Sequence, residues 1–241
     1  MTYRSTGRHS VVVSPGFINL KSYAEALPAY FQEGEGEIIH QGRNELRAMR
    51  WNGVDVVVKS FQIPNIVNRL VYGTLRPSKA QRSFEYASLL RQRGIGSPAP
   101  VAYYTERVGM LFTHSYYVSL KSECPHTYAD LMRGDYPNQE PILRAIARTA
   151  AMMHSAGMLH KDFSRGNILF QETGKGVEVE IVDLNRIHFQ KVDIETGCRN
   201  FERLPATDLM LRIMADEYAQ ARAFNPEECL LLIRKFNHAT I

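Results

Sequence analysis

The 241-residue sequence has only three cysteines, Cys124, Cys198 and Cys229, and no two of them stand at the C-x-x-C spacing of metal and redox motifs. Neither a zinc site nor a disulfide framework is expected, and a reducing compartment suits the chain. Long apolar runs are missing too. No segment approaches the roughly 18 to 20 continuous apolar residues of a membrane span. The run Val11-Val12-Val13 breaks at Ser14-Pro15, too early for a signal-peptide core. Internal repeats and low-complexity tracts are absent. Neither sign of charge dominates: 29 basic against 25 acidic residues leave +4 and a pI near 8.9. That excess permits an anionic substrate or surface without pointing to nucleic acid. The reading is a soluble or peripheral protein, long enough to bury a substantial core.

What is present begins with strand signals. Residues 37–40 and 46–51 read as paired strands, and Asn52-Gly53 is a strong two-residue hairpin turn into Val54-Asp55-Val56-Val57-Val58-Lys59. A lysine leaving a valine run is a candidate phosphate ligand. From Ser78 the apolar spacing becomes helical and stops at Gly94, with Glu85 placed to reach toward Lys59. Two further strands, 101–105 and 111–120, complete an expected five-stranded N-terminal lobe. A short polar hinge is expected at about 121–125. Beyond it, residues 141–157 form an apolar-periodic helix ended by Gly157, and two more helices, about 205–223 and 226–237, close the chain.

The chemistry sits in His160-Lys161-Asp162-Phe163-Ser164-Arg165-Gly166-Asn167, followed by Ile181-Val182-Asp183. An aspartate, an asparagine five residues on and a second aspartate ending an apolar strand form the set that phosphoryl transfer from Mg-ATP requires. Asp162 is the candidate catalytic base, since a carboxylate in reach of an acceptor hydroxyl orients it and takes its proton. Asn167 and Asp183 offer hard oxygen ligands to Mg2+. His160 is read as bracing the loop through backbone hydrogen bonds. Any one of these positions alone is compatible with a turn or cap residue, but the three in this order are not.

Together these motifs resemble the protein-kinase-like superfold, and within it the lipopolysaccharide core kinases, which phosphorylate Kdo and heptose. The resemblance runs over roughly residues 36–210. It rests on Ile39-His40-Gln41-Gly42-Arg43-Asn44, Val57-Val58-Lys59-Ser60-Phe61, Arg82-Ser83-Phe84-Glu85-Tyr86, the turn 94–100, residues 160–167, and Ile181-Val182-Asp183-Leu184-Asn185-Arg186. It implies an α+β, two-lobed kinase-like fold in one catalytic domain over 1–241, with an antiparallel-sheet N-lobe (about 1–120) and a short, mainly helical C-lobe (about 126–241). It implies ATP and Mg2+ as cofactors and Lys59 as phosphate ligand with Glu85 as its partner. Asp162 is then the base, and Asn167 with Asp183 the metal ligands. The acceptor implied is a lipid-A-linked core sugar, at the cytoplasmic face of the inner membrane, with no nucleic acid and no obligate protein partner.

Two departures from protein kinases shape the substrate reading. The loop expected over the nucleotide has Gly42 alone, so its phosphate contacts fall to Gly42, Arg43 and Asn44. After Asp183 only 58 residues remain, with no Ala-Pro-Glu element, which leaves little room for a peptide platform. A sugar acceptor is favoured over a protein; the alternatives are an atypical protein kinase or an idle pseudokinase binding module. The insertion 62–82 carries Arg69, Arg76, Lys79 and Arg82 among apolar residues and no acid. It is read as a short amphipathic helix lying on the lobe or on an anionic membrane surface.

Overall fold

The structure, a computed structural model, describes residues 8–62, 77–108, 111–133 and 136–237. The chain forms two compact units, Met1–Leu89 with Pro98–Lys121, and Leu90–Ser97 with Ser122–Ile241.

The first unit is built on a six-stranded antiparallel sheet. Its strands are β1 (Arg8–Val13), β2 (Glu37–Gln41), β3 (Glu45–Trp51), β4 (Val54–Ser60), β5 (Pro100–Val108) and β6 (Leu111–Leu120), in the order β1-β5-β6-β4-β3-β2. The expected count of five strands is corrected by β1. The β-branched run at residues 11–13, too short to matter to a membrane, pairs antiparallel with the edge of β5, Val11 opposite Tyr104 and Val13 opposite Ala102. Ser14 ends it by donating its hydroxyl to the Pro100 carbonyl at 2.6 Å. The β3–β4 turn has positive φ at both Asn52 (47°) and Gly53 (83°), the backbone that a tight primed turn demands.

Two short helices absent from the sequence reading, α1 (Lys21–Glu25) and α2 (Leu27–Glu33), cover one sheet face. Leu20, Ala24 and Leu27 pack there with Trp51, Val56, Val58, Val101, Tyr104, Tyr116 and Val118. Fully burying such a side chain contributes about 1.5–3 kcal/mol each, and strand alternation sends Lys59 to the opposite face. On that face Lys59 stands across from Tyr117, and Tyr117 across from Tyr103. Helix α3 (Lys79–Gln92) meets it through Phe84, edge-on to Tyr103 with centroids 5.4 Å apart. Ser78 Oγ accepts the Gln81 N–H at the start of α3, and Gly94, at φ 70°, follows its end. Residues 63–76, most of the predicted amphipathic insertion, lie outside the described residues; Lys79 and Arg82 belong to α3.

The second unit contains β7 (His126–Thr127), α4 (Gln139–Ser155), β8 (Met158–His160), β9 (Ile168–Thr173), β10 (Gly176–Ile181), β11 (Ile187–Phe189), α5 (Ile194–Arg199), α6 (Asp208–Arg222) and α7 (Pro226–Phe236). Strands β10, β9 and β7 form one small sheet and β11 with β8 another. The periodic face of α4, Ile142, Leu143, Ile146, Ala150 and Met153, is fully buried. Gly96, in the segment joined to this unit, accepts the Ile181 N–H at 3.0 Å, and a Cβ there would run into the Val179 carbonyl oxygen, so only glycine lets the two backbones meet. Among the described residues no helix is long and apolar enough to cross a membrane.

Candidate active site

The second unit gathers Asp162, Asn167 and Asp183 around one buried imidazole. His160 ends β8 with no exposed surface. Its Nε2 lies 3.1 Å from the Val182 carbonyl and therefore carries the proton, which leaves Nδ1 to accept the Asp162 N–H at 3.1 Å. Burial holds the ring below the ordinary histidine range, which preserves this neutral tautomer. One side chain thus fixes the backbone at Asp162 and the backbone just before Asp183. Asn167 closes the loop, its Nδ2 donating to the Asp162 carbonyl at 2.8 Å and approaching Ser164 Oγ at 3.3 Å. A backbone bond from Val182 N–H to the Asn167 carbonyl, 3.0 Å, joins that loop to the strand end carrying Asp183.

Asp183 has φ 58° and ψ 42°, a left-handed conformation that aspartate tolerates better than most side chains and that marks sites held by their surroundings. Its Oδ1 accepts from Asn185 Nδ2 at 2.5 Å, and Arg186 Nε lies 3.7 Å from its Oδ2. Arg186 also lies 3.6 Å from Asp162 Oδ2, so one guanidinium spans both carboxylates. Asp162 Oδ1 is taken by Arg203 at 2.7 Å.

The donor set fits magnesium. With the Asn167 nitrogen committed to the loop, its amide presents an oxygen, and Asp183 adds a carboxylate on the adjoining strand end. Among the described residues no three His, Cys, Asp or Glu side chains form a metal cage. Magnesium needs none, because it is held by one or two protein oxygens with phosphates and water.

Behind the loop runs a directed chain of hydrogen bonds. Asn200 Nδ2 donates to the His160 carbonyl at 2.9 Å, so its Oδ1 accepts from His154 Nε2 at 3.0 Å. His154 Nδ1 then accepts from the Tyr218 hydroxyl at 2.9 Å, which itself accepts from Arg222 at 3.1 Å. Burial drives the His154 pKa down to about 4. The neutral imidazole is the only form that supports this order of donors and acceptors.

In the first unit Lys59 is half-buried at the end of β4, its ammonium 5.3 Å from the centre of the Phe61 ring. Glu85 is exposed on α3, accepts from Gln81 Nε2 at 2.8 Å, and lies near enough to Tyr103 that its charge, after burial, helps push that phenol's pKa up. Among the described residues there is no ion pair between Lys59 and Glu85. Gly42, Arg43 and Asn44 form the turn between β2 and β3, closed by a Gly42 N–H to Asn44 carbonyl bond of 3.1 Å. Asn44 Oδ1 accepts the Gln62 N–H at 3.3 Å, which ties the turn to the residues just past β4.

The sequence matches the model of the lipopolysaccharide kinase (Kdo/WaaP) family over residues 41–221. The chain belongs to this family. Its fold is similar to that of a solved structure described as WaaP in complex with acyl carrier protein, with a TM-score of 0.61, 16% identity, 94% of this chain covered and 97% of that one. That likeness establishes a kinase fold. A comparison with curated proteins finds no match.

For this lipopolysaccharide kinase, sequence reading missed the two groups that reach the loop from afar. Asn200 and Arg203 lie 40 and 41 residues from the groups they bind. No local motif could announce them. Next to the loop lies a cavity of about 450 Å³ lined by Leu159, Lys161, Gln190, Thr196, Arg199 and Glu202, among others, while Asp162, Asn167 and Asp183 do not line it.

Proposed function

We propose that this family member transfers the γ-phosphoryl group of ATP to a hydroxyl of Kdo or heptose in the lipopolysaccharide inner core. The observation that carries the reading is the single buried His160 that braces both Asp162 and the Asp183 strand end, with Asn167 closing the loop. Asp162 orients the acceptor hydroxyl; as its oxygen bonds to phosphorus and ADP leaves, the hydroxyl proton passes to the carboxylate. Asn167 and Asp183 would hold magnesium through their side-chain oxygens. When bound, magnesium neutralises charge on the phosphates. Lys59 contributes a cation to the phosphates, and the turn Gly42–Asn44 its backbone amides. Glu85 enters as the sequence-derived partner of Lys59, a role that its observed bond to Gln81 leaves to a double-mutant test.

The proposal includes work at the cytoplasmic face of the inner membrane, where anionic lipid would attract a mildly basic protein. The neighbour whose description pairs WaaP with acyl carrier protein makes acyl carrier protein a second partner to test. Lipid A with its core sugars, extracted from a strain lacking this gene, should be missing one core phosphate that Asp162→Asn fails to restore. An unchanged core would remove the proposal.

A further inference from the structure

Asp162 is not an open base. Arg203 takes Oδ1 at 2.7 Å and Arg186 stands 3.6 Å from Oδ2. Arg186 is shared with Asp183, whereas among the described residues Arg203 pairs with Asp162 and, at 3.9 Å from Nε, with the exposed Glu202. Such a solvated pair is weak and readily exchanged. Arg203 is itself half exposed, at 53%. With one N–H of its planar fork on Asp162, the half-exposed guanidinium keeps further donors, and such a fork can serve two acceptors at once.

The backbone that presents this arginine is rigid. Phe201 and Leu204, on either side of Arg203 in the turn after α5, are fully buried. The buried amide of Asn237 donates to both of their carbonyls, at 3.2 and 2.8 Å. A surface arginine on a clamped turn, with a short bond to the catalytic carboxylate, is placed to do more than neutralise it.

We propose that Arg203 is a specificity-determining residue that reads a negative charge on the acceptor. One N–H holds Asp162 while the further donors bind a carboxylate or phosphate borne close to the attacked hydroxyl. The inference rests on the kinase reading above and deepens it by naming the acceptor class as an anionic sugar. The bridging guanidinium fixes the distance between that anion and the base, so binding energy at the anion is converted into alignment of the hydroxyl. A neutral acceptor leaves those donors in water and gains no alignment.

The test measures kcat/KM of the full chain on Kdo-linked lipid A, on its Kdo carboxyl methyl ester and on the same acceptor stripped of lipid A phosphates. Four proteins are compared: wild type, Arg203→Gln, Arg203→Lys, and Arg199→Gln as an equal charge change at a residue with no bond to Asp162 among the described residues. Wild type and Arg199→Gln should prefer the anionic acceptor by about 30-fold or more, as an aligned bidentate ion pair allows. Arg203→Gln should reduce that preference to threefold or less, and Arg203→Lys should restore only part of it. Loss of preference with the ester assigns the charge to the sugar carboxylate, and loss with the stripped acceptor assigns it to phosphate. Equal losses on all acceptors in Arg203→Gln, or no wild-type preference, would overturn the inference while leaving the kinase reading intact. Failure of wild type to phosphorylate any sugar acceptor would remove that reading and this inference together.

Discussion

Replacing His160 by leucine tests the geometry of the site without touching any group proposed to meet substrate. The change removes two hydrogen bonds, one from the Asp162 N–H and one to the Val182 carbonyl. Both partners are half-buried, so water can reach them in part. The loss is then near the low end for unsatisfied groups, about 1 kcal/mol each, and a further fraction comes from the poorer shape, giving about 2–3 kcal/mol. In a chain of this size that lowers the melting temperature by about 5–10 °C. The catalytic effect should be larger in proportion, because the ring fixes Asp162 and the strand end of Asp183 from opposite sides. A displacement near 1 Å costs about 100-fold in kcat. Thermal melts with steady-state kinetics check both values, and His160→Gln, which keeps a donor and an acceptor, should recover part of each. A folded His160→Leu protein with kcat within threefold of wild type would refute the bracing argument.

Asp162→Asn should lower kcat by at least about 100-fold with little change in ATP affinity, as loss of a base predicts. Asp183→Asn should instead raise the magnesium concentration needed for half-maximal rate by about tenfold or more; an unchanged titration would count against its role. Lys59→Ala should cost about 100-fold in kcat/KM, as loss of a fixed phosphate cation does. Glu85→Gln should cost less than about twofold if its bond to Gln81 is its main contact, and strong sub-additivity in the double variant would show that the two residues meet. His154 has a folded pKa depressed to about 4 against an ordinary value near 6.5. The unfolded chain binds the proton first, so stability is complete above about pH 6.5 and falls as pH drops, by about 2 kcal/mol at pH 5. His154→Gln should flatten that dependence in denaturant titrations at several pH values; an equally steep profile would mean other groups carry it.

The parts of this protein legible in the sequence are those coded locally. The Asn52-Gly53 turn requires a particular backbone, and the valine run of β4 and the periodic face of α4 carry their own patterns. Strand β1 was not legible, because its three valines become a strand only when β5 offers them an open edge. Helix α5, a single short element, carries too little periodicity to announce itself. In the candidate site, the order Asp162, Asn167, Asp183 was readable as a candidate set, and the hydrogen bonds of His160 to the loop backbone were expected. What was hidden is long-range: Asn200 on the His160 carbonyl, the His154–Tyr218 link behind it, and Arg203 on Asp162. Such contacts depend on where the chain returns, which neighbouring residues do not encode. The orientation of Glu85 was hidden for a related reason. Helical spacing gives the face of α3 but not which strand that face meets, and Phe84 sets α3 against Tyr103.

The most direct measurement incubates purified protein with ATP, Mg2+ and Kdo-linked lipid A, then follows both acceptor and protein by mass spectrometry. Wild type should add one phosphate to the sugar acceptor in a time-dependent manner, and Asp162→Asn should add none. An acceptor that stays unmodified while the protein itself becomes phosphorylated would contradict the account and replace the sugar hydroxyl with a protein one.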